Sequence, residues 1–196
     1  MKLNRRTLVA ALALCAACAS SEHEGEPPAG EPVAQPGAQP AAEPASDAPL
    51  RFVAQPDWVE EPPASGMRAA QYRLPGEAGD ASLIVYHFGR GGGSLEANLE
   101  RWAGQFEQPD GGDSAARMQR GERRVGGRDV VVVDLSGTYV AETSPGSGER
   151  VNEPGWRMLA AVIDTPQGPF YAKLVGPEGT VAAHAERFDA FLGAMR

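Results

Sequence analysis

The sequence predicts an α+β fold, an antiparallel β-sheet flanked by two helices. Three observations predict it. Runs of strand-forming residues come in neighbouring pairs, joined by short Gly/Pro turn signals. Two other stretches repeat their apolar residues at helical spacing. The order that results, β-β-α-β-β-β-β-α, places hairpins next to one another and a helix last, which suits helices packed on an antiparallel sheet.

The globular composition begins at Leu50. Residues 67–74 (MRAAQYRL) and 81–88 (ASLIVYHF) read as strands across the turn signal 75–80 (PGEAGD). Ser94 then caps a helix whose apolar residues Leu95, Leu99, Trp102 and Phe106 share one face. Residues 108–114 form a loop. Residues 115–124 and 128–140 read as a hairpin around Val125-Gly126-Gly127, the Gly-Gly pair suiting a tight primed turn. After a polar loop at 141–155, residues 156–165 and 170–175 flank Pro166-Gln167-Gly168-Pro169 as a second hairpin. A last helix, about 178–195, sets Val181, Ala185, Phe188 and Leu192 on one stripe.

Upstream of Leu50 the chain changes character twice. Residues 1–18 carry Lys2, Arg5 and Arg6 and no acid, then an apolar run at 7–17. Eleven helical residues rise about 16 Å, about half of a ~30 Å hydrocarbon core, so the segment reads as a signal peptide and not a span. Its end, Leu14-Cys15-Ala16-Ala17-Cys18, resembles a bacterial lipoprotein lipobox, which implies cleavage before Cys18 and lipidation there. A plain secretory signal cut near 17–20 is the alternative. Several acyl chains at ~0.8 kcal/mol per buried methylene would anchor the protein stably in a membrane. Residues 19–49 hold seven prolines, six acids and no aromatic residue, the composition of a disordered tether reaching about 100 Å at ~3.1 Å per residue. His23 lies inside it.

Within 50–196, Trp58 with the 67–74 strand, the 93–102 stretch (GSLEANLERW), Gly137-Thr138-Tyr139, and the closing 171–177 run (YAKLVGP) with Phe188 and Phe191-Leu192 stand in an order that resembles the PsbP-like fold, an α/β/α sandwich. The resemblance implies a domain that mostly docks other proteins, generally without catalysis. It assigns no site residue to this chain.

Charge and cysteine usage narrow the chemistry. The chain is acidic, with a net charge of −8, and gives no global reason to bind nucleic acid. Both cysteines, Cys15 and Cys18, fall in the signal segment, leaving no thiol nucleophile, disulfide or Cys metal ligand beyond it. No cofactor motif occurs. The glycine-rich turn Arg90-Gly91-Gly92-Gly93-Ser94 is a candidate anion-binding turn, since N–H groups at a helix start attract anions. It lacks the Lys-Ser/Thr of a phosphate loop and the third glycine of a dinucleotide fingerprint. His87 and His184 have no Asp, Glu or second His at ligand spacing, so no metal site is expected. Arg117, Arg120, Arg123, Arg124 and Arg128 form the one basic cluster, which strand alternation divides between two faces of a solvated hairpin. Trp102 belongs to the core, while Trp58 and Trp156 are candidate partner contacts.

These readings converge on a membrane-anchored bacterial envelope lipoprotein, on the periplasmic face of the outer membrane or the cell surface, with a non-catalytic module that docks a protein. The first alternative is a small-ligand or lipid-binding module using the space between sheet and helix. The second is a hydrolase whose site is assembled in space around His87 or His184.

Overall fold

Alternation along the strands and paired turns produce a single antiparallel sheet, as the sequence predicts, but with eight strands: the six expected and two short ones at Val59–Glu60 and Phe106–Glu107. The computed structural model describes residues 50–143 and 146–196. The expected signal peptide, Cys18, the 19–49 tether and His23 lie outside the described residues. The strands are β1 (Val59–Glu60), β2 (Arg68–Leu74), β3 (Ala81–His87), β4 (Phe106–Glu107), β5 (Gln119–Val125), β6 (Arg128–Tyr139), β7 (Glu153–Ile163) and β8 (Phe170–Pro177). They lie in the order β1-β2-β3-β8-β7-β6-β4, and β5 pairs with β6 alongside β4. The helices are α1 (Leu95–Ala103), α2 (Ser114–Arg117), α3 (Glu178–Ala183) and α4 (Ala185–Gly193).

Both faces of the sheet are apolar at its centre, which requires a layer on each side. On one face Leu74, Leu83, Leu174, Ala161 and Ile163 pack against Val181, Phe188, Phe191 and Leu192 from α3 and α4, with Leu50 and Trp58 from the entering chain. On the other, Met158, Ala160, Val133 and Tyr171 pack against Leu99 and Trp102 of α1. Each of the large side chains buried here contributes about 1.5–3 kcal/mol. The strands β2 and β3 are fully covered on the α3–α4 face only. Their other face, including Ile84 and Tyr86, stays half-buried.

The structure corrects four element boundaries. Helix α1 stops at Ala103, and Phe106 leaves the expected helical stripe for β4, opposite Tyr139. The Gln105 carbonyl accepts the Val140 N–H at 2.8 Å, so pairing with β6 outcompetes another helical turn. Ser114–Arg117, expected partly as strand, is a helical turn because the Asp113 carboxylate caps the Ala115 N–H at 2.9 Å. Strand β7 begins at Glu153, since Glu153 pairs with Tyr139 across a bulge in β6. The terminal helix divides at His184, whose imidazole turns into the core. The Gly126-Gly127 turn matches expectation, both residues having φ values (55° and 77°) that suit a primed turn.

Candidate functional site

Strand β8 sends Phe170, Ala172 and Leu174 to one face and Tyr171, Lys173 and Val175 to the other. This places a lysine in the middle of the α1 face, only 9% exposed. Its Nζ donates to Gln105 Oε1 and to the Tyr139 hydroxyl, the latter at 3.2 Å, and stands 5.0 Å from the Tyr139 ring centroid. Burial pulls the Lys173 ammonium down to about 7, with Arg101 acting in the same direction. Burial also pushes the Tyr139 phenol up to about 12, and Tyr86 adds to it. Near neutral pH the amine therefore divides between charged and neutral forms while the phenol keeps its proton. The group can donate, accept or hold a proton at Nζ.

The Tyr139 ring beside this amine belongs to an aromatic cluster. Trp156 stacks on Tyr139 with centroids 5.3 Å apart and planes within 5°. Phe106 supports the far side of Tyr139 at 5.2 Å. Tyr86 and Phe88 form a second parallel pair at 5.8 Å, with the Arg68 guanidinium 5.9 Å from the Tyr86 ring. Tyr86, Phe88, Tyr139 and Trp156 are all half-buried, each ring held in contact with another. Preorganised aromatic anchors of this kind suit macromolecular recognition. Lys173, Tyr139 and Gln105 were not singled out from the sequence. The available signal was a lysine interrupting the otherwise apolar run Phe170–Val175.

Of the candidate contacts, Trp156 is half-buried in this platform and Trp58 is not on a surface at all. Trp58 is 7% exposed, lies against Phe191 and Tyr72 at 5.4 and 5.9 Å, and donates through Nε1 to His184 Nδ1 at 3.1 Å. The indole has an internal acceptor and an aromatic nest, which is why it is core and unavailable to a partner.

The candidate anion turn has a packing role. A Cβ on Gly92 would stand 2.7 Å from the Tyr171 hydroxyl, and one on Gly168 would stand 2.2 Å from the Gly89 carbonyl oxygen. The glycines let this turn and the Pro166–Pro169 turn touch backbone to backbone. The Gly92 carbonyl accepts from Asn98 Nδ2 and the Tyr171 hydroxyl, at 2.8 and 3.1 Å. Arg90 reaches the Pro166 carbonyl, and Ser94 caps the Ala97 N–H. Gly91 and Gly93 are exposed.

The histidines stand in packing environments. His184 Nδ1 accepts from Trp58, so Nε2 carries the proton and donates to the Pro75 carbonyl at 3.0 Å. His87 stacks on Phe170 at 4.0 Å, its Nδ1 buried without a hydrogen-bond partner. Neither ring meets a serine or threonine hydroxyl among the described residues, so the geometry a spatially assembled hydrolase needs is not found at them. The arginines divide as strand alternation requires. Arg120 pairs with Glu96 on α1 and Arg123 with Asp189 on α4, while Arg124 pairs with Asp129. Arg117 sits on α2, off the strand, paired with Asp110. Arg128 is 5% exposed, tucked under the hairpin turn it follows, and so is not on the solvated face. Among the described residues no group of three or more His, Cys, Asp or Glu side chains could hold a metal ion, and no helix is long and apolar enough to cross a membrane.

No protein-family model matches the chain, and no curated protein sequence does. Two solved structures show a distant structural resemblance. One is the crystal structure of PA94, a protein of unknown function from Pseudomonas aeruginosa, 14% identical, covering 74% of this chain and 94% of that chain, with a TM-score of 0.44. The other is the solution structure of the cyanobacterial PsbP of Synechocystis sp. PCC 6803, 13% identical, covering 75% of this chain and 85% of that chain, with a TM-score of 0.43.

Proposed function

We propose that the chain is a non-catalytic docking module, held in the bacterial envelope by a lipid on Cys18, that binds an envelope protein through Trp156 and Tyr139. The observation supporting the docking surface is the Tyr139–Trp156 stack, half-buried on the β6–β7 part of the sheet face that also carries α1. Both rings are fixed before a partner arrives, so binding costs little side-chain entropy. The signal segment and its lipobox resemblance support the anchor, and the 19–49 composition supports a spacer between membrane and domain.

In-cell crosslinking of the tagged full-length protein, followed by mass spectrometry, tests this reading. One envelope protein recovered near stoichiometry and lost with Trp156→Ala is the expected result. Recovery of the protein alone, or a partner retained by that variant, would refute docking through this surface. The intact mass of membrane-extracted protein tests the anchor separately, and a mature N-terminus other than acylated Cys18 would overturn it.

A further inference from the structure

On the opposite face of the sheet, beside the edge strand β5, an ion pair occupies a position that the neighbouring rows fill with apolar side chains. Asp134 lies opposite Leu159 and two residues from Val132, on the face that α3 and α4 cover. Arg157 grips it with two parallel bonds, Nε to Oδ1 at 2.8 Å and Nη2 to Oδ2 at 2.6 Å. The side chains are 22% and 30% exposed. A guanidinium has five N–H donors, and three of these make no hydrogen bond among the described residues. Two hollows of about 390 and 400 Å³ adjoin at this pair, both lined by Arg157, Asp134 and Gln119. The first is lined by Val132, Leu159 and Phe188, with Arg120 and Asp189 also on its walls, each ion-paired outside it. The second is polar, with Ser136 and Arg117 on its walls and the exposed carboxylate of Glu178 at its rim.

Gly121 is the second observation. It sits in the middle of β5, opposite Val132, where a glycine weakens a strand. Its backbone does not lie in the left-handed region, and a Cβ there would stand 3.4 Å from Val132 Cγ2 with nothing closer. Neither conformation nor collision requires a glycine. What a side chain would do is fill the apolar hollow. Glycine within a strand often marks the close approach of a ligand.

We propose that this groove binds an apolar α-amino acid. The side chain lies on Val132 and Leu159 against Phe188, the carboxylate meets the remaining Arg157 donors, and the ammonium meets Glu178. Arg117 is taken up by Asp110, so the polar hollow offers the Arg157 donors that Asp134 leaves and the Glu178 carboxylate, groups of opposite sign that match the two ends of a zwitterion. The hollows lie within the usual 300–1,000 Å³ range of small-molecule sites. The site is on the other face from Trp156, so Trp156→Ala leaves it intact.

The test is titration of the full-length protein with phenylalanine, followed by backbone amide NMR shifts. Three truncated probes accompany it: 3-phenylpropionate without the ammonium, phenethylamine without the carboxylate, and glycine without the ring. Phenylalanine is expected to shift the Gln119, Gly121 and Val132 amides saturably, and each truncated probe to bind at least about tenfold more weakly. Gly121→Val fills the hollow and should abolish the shifts with thermal stability unchanged or raised. Glu178→Gln should weaken phenylalanine and leave 3-phenylpropionate unaffected. No saturable shift from phenylalanine, equal binding of all four probes, or full binding to Gly121→Val would each overturn the proposal. So would saturation by short-chain phosphatidylethanolamine with no response to phenylalanine.

Discussion

Replacing Lys173 with methionine should stabilise the protein in mild acid and lose that advantage as the pH rises. The ordinary lysine value is 10.5, and burial brings Lys173 to about 7 in the folded state. Between those values the unfolded chain holds a proton that the folded chain has released. Stability therefore increases with pH through that window, by up to tenfold in the folding equilibrium per pH unit. Below about pH 7 both states are protonated, and the cost of burying the charge is constant, on the order of 4 kcal/mol. Between pH 7 and pH 9 the wild type recovers about 2 kcal/mol of it. Methionine has no proton to lose, but it gives up the bonds to Gln105 and Tyr139, about 1 kcal/mol each. The expected difference is about 2 kcal/mol in favour of Lys173→Met at pH 6, falling to near zero by pH 9. Urea denaturation followed by tryptophan fluorescence at pH 6, 7, 8 and 9 measures it directly. Taking the difference between variant and wild type cancels the titration of every group the two share. Parallel stability curves across that range would refute the assignment of a depressed, buried amine.

Three further outcomes follow from the packing. Trp58→Phe keeps the aromatic contacts with Phe191 and Tyr72 but leaves His184 Nδ1 without its donor, so it should cost about 1–3 kcal/mol in denaturant unfolding. Gly168→Ala drives a Cβ to 2.2 Å from the Gly89 carbonyl oxygen, a backbone atom that cannot swing aside; amide exchange in the 89–93 turn should accelerate, and the melting temperature should fall. Arg120→Ala breaks two ion pairs with Glu96 and Glu122 at an exposed site and should leave the urea midpoint close to that of the wild type. A loss comparable to that of a core substitution would show that this surface network matters more than its exposure implies.

What could be read from the sequence was local. The Gly126-Gly127 turn declares itself because the conformation it needs is a property of the two residues. The alternation in β2 and β3 likewise carries their burial, and the arginines of β5 divide between faces as residue parity requires. Apart from the locally capped turn at Ser114–Arg117, the departures come from contacts between distant positions. The break at His184 serves an imidazole held by Trp58, 126 positions away. Phe106 leaves the helical stripe because β6 offers a pairing edge to the chain around it. Trp58 looks exposed among prolines and acids, and its burial becomes visible only once α4 closes over it. The Lys173 cluster joins residues 105, 139 and 173, which periodicity cannot bring together. Fold class was therefore legible, whereas the platform and the groove were not.

Arg51 and Arg196 exchange backbone hydrogen bonds, the Arg51 N–H to the Arg196 carbonyl at 2.8 Å and the Arg196 N–H to the Arg51 carbonyl at 3.3 Å. The domain is thus a loop closed in all but one covalent link. A few residues joining Arg196 to Leu50, with the chain opened instead within the polar 143–149 stretch, would give a circularly permuted protein. Its sequence would begin near β7 and run through β8, α3 and α4 before reaching β1. Every strand pairing could be kept, because the sheet depends on which strands adjoin and not on where translation starts. Such a permutant would let the architecture be studied apart from whatever the first forty-nine residues attach it to.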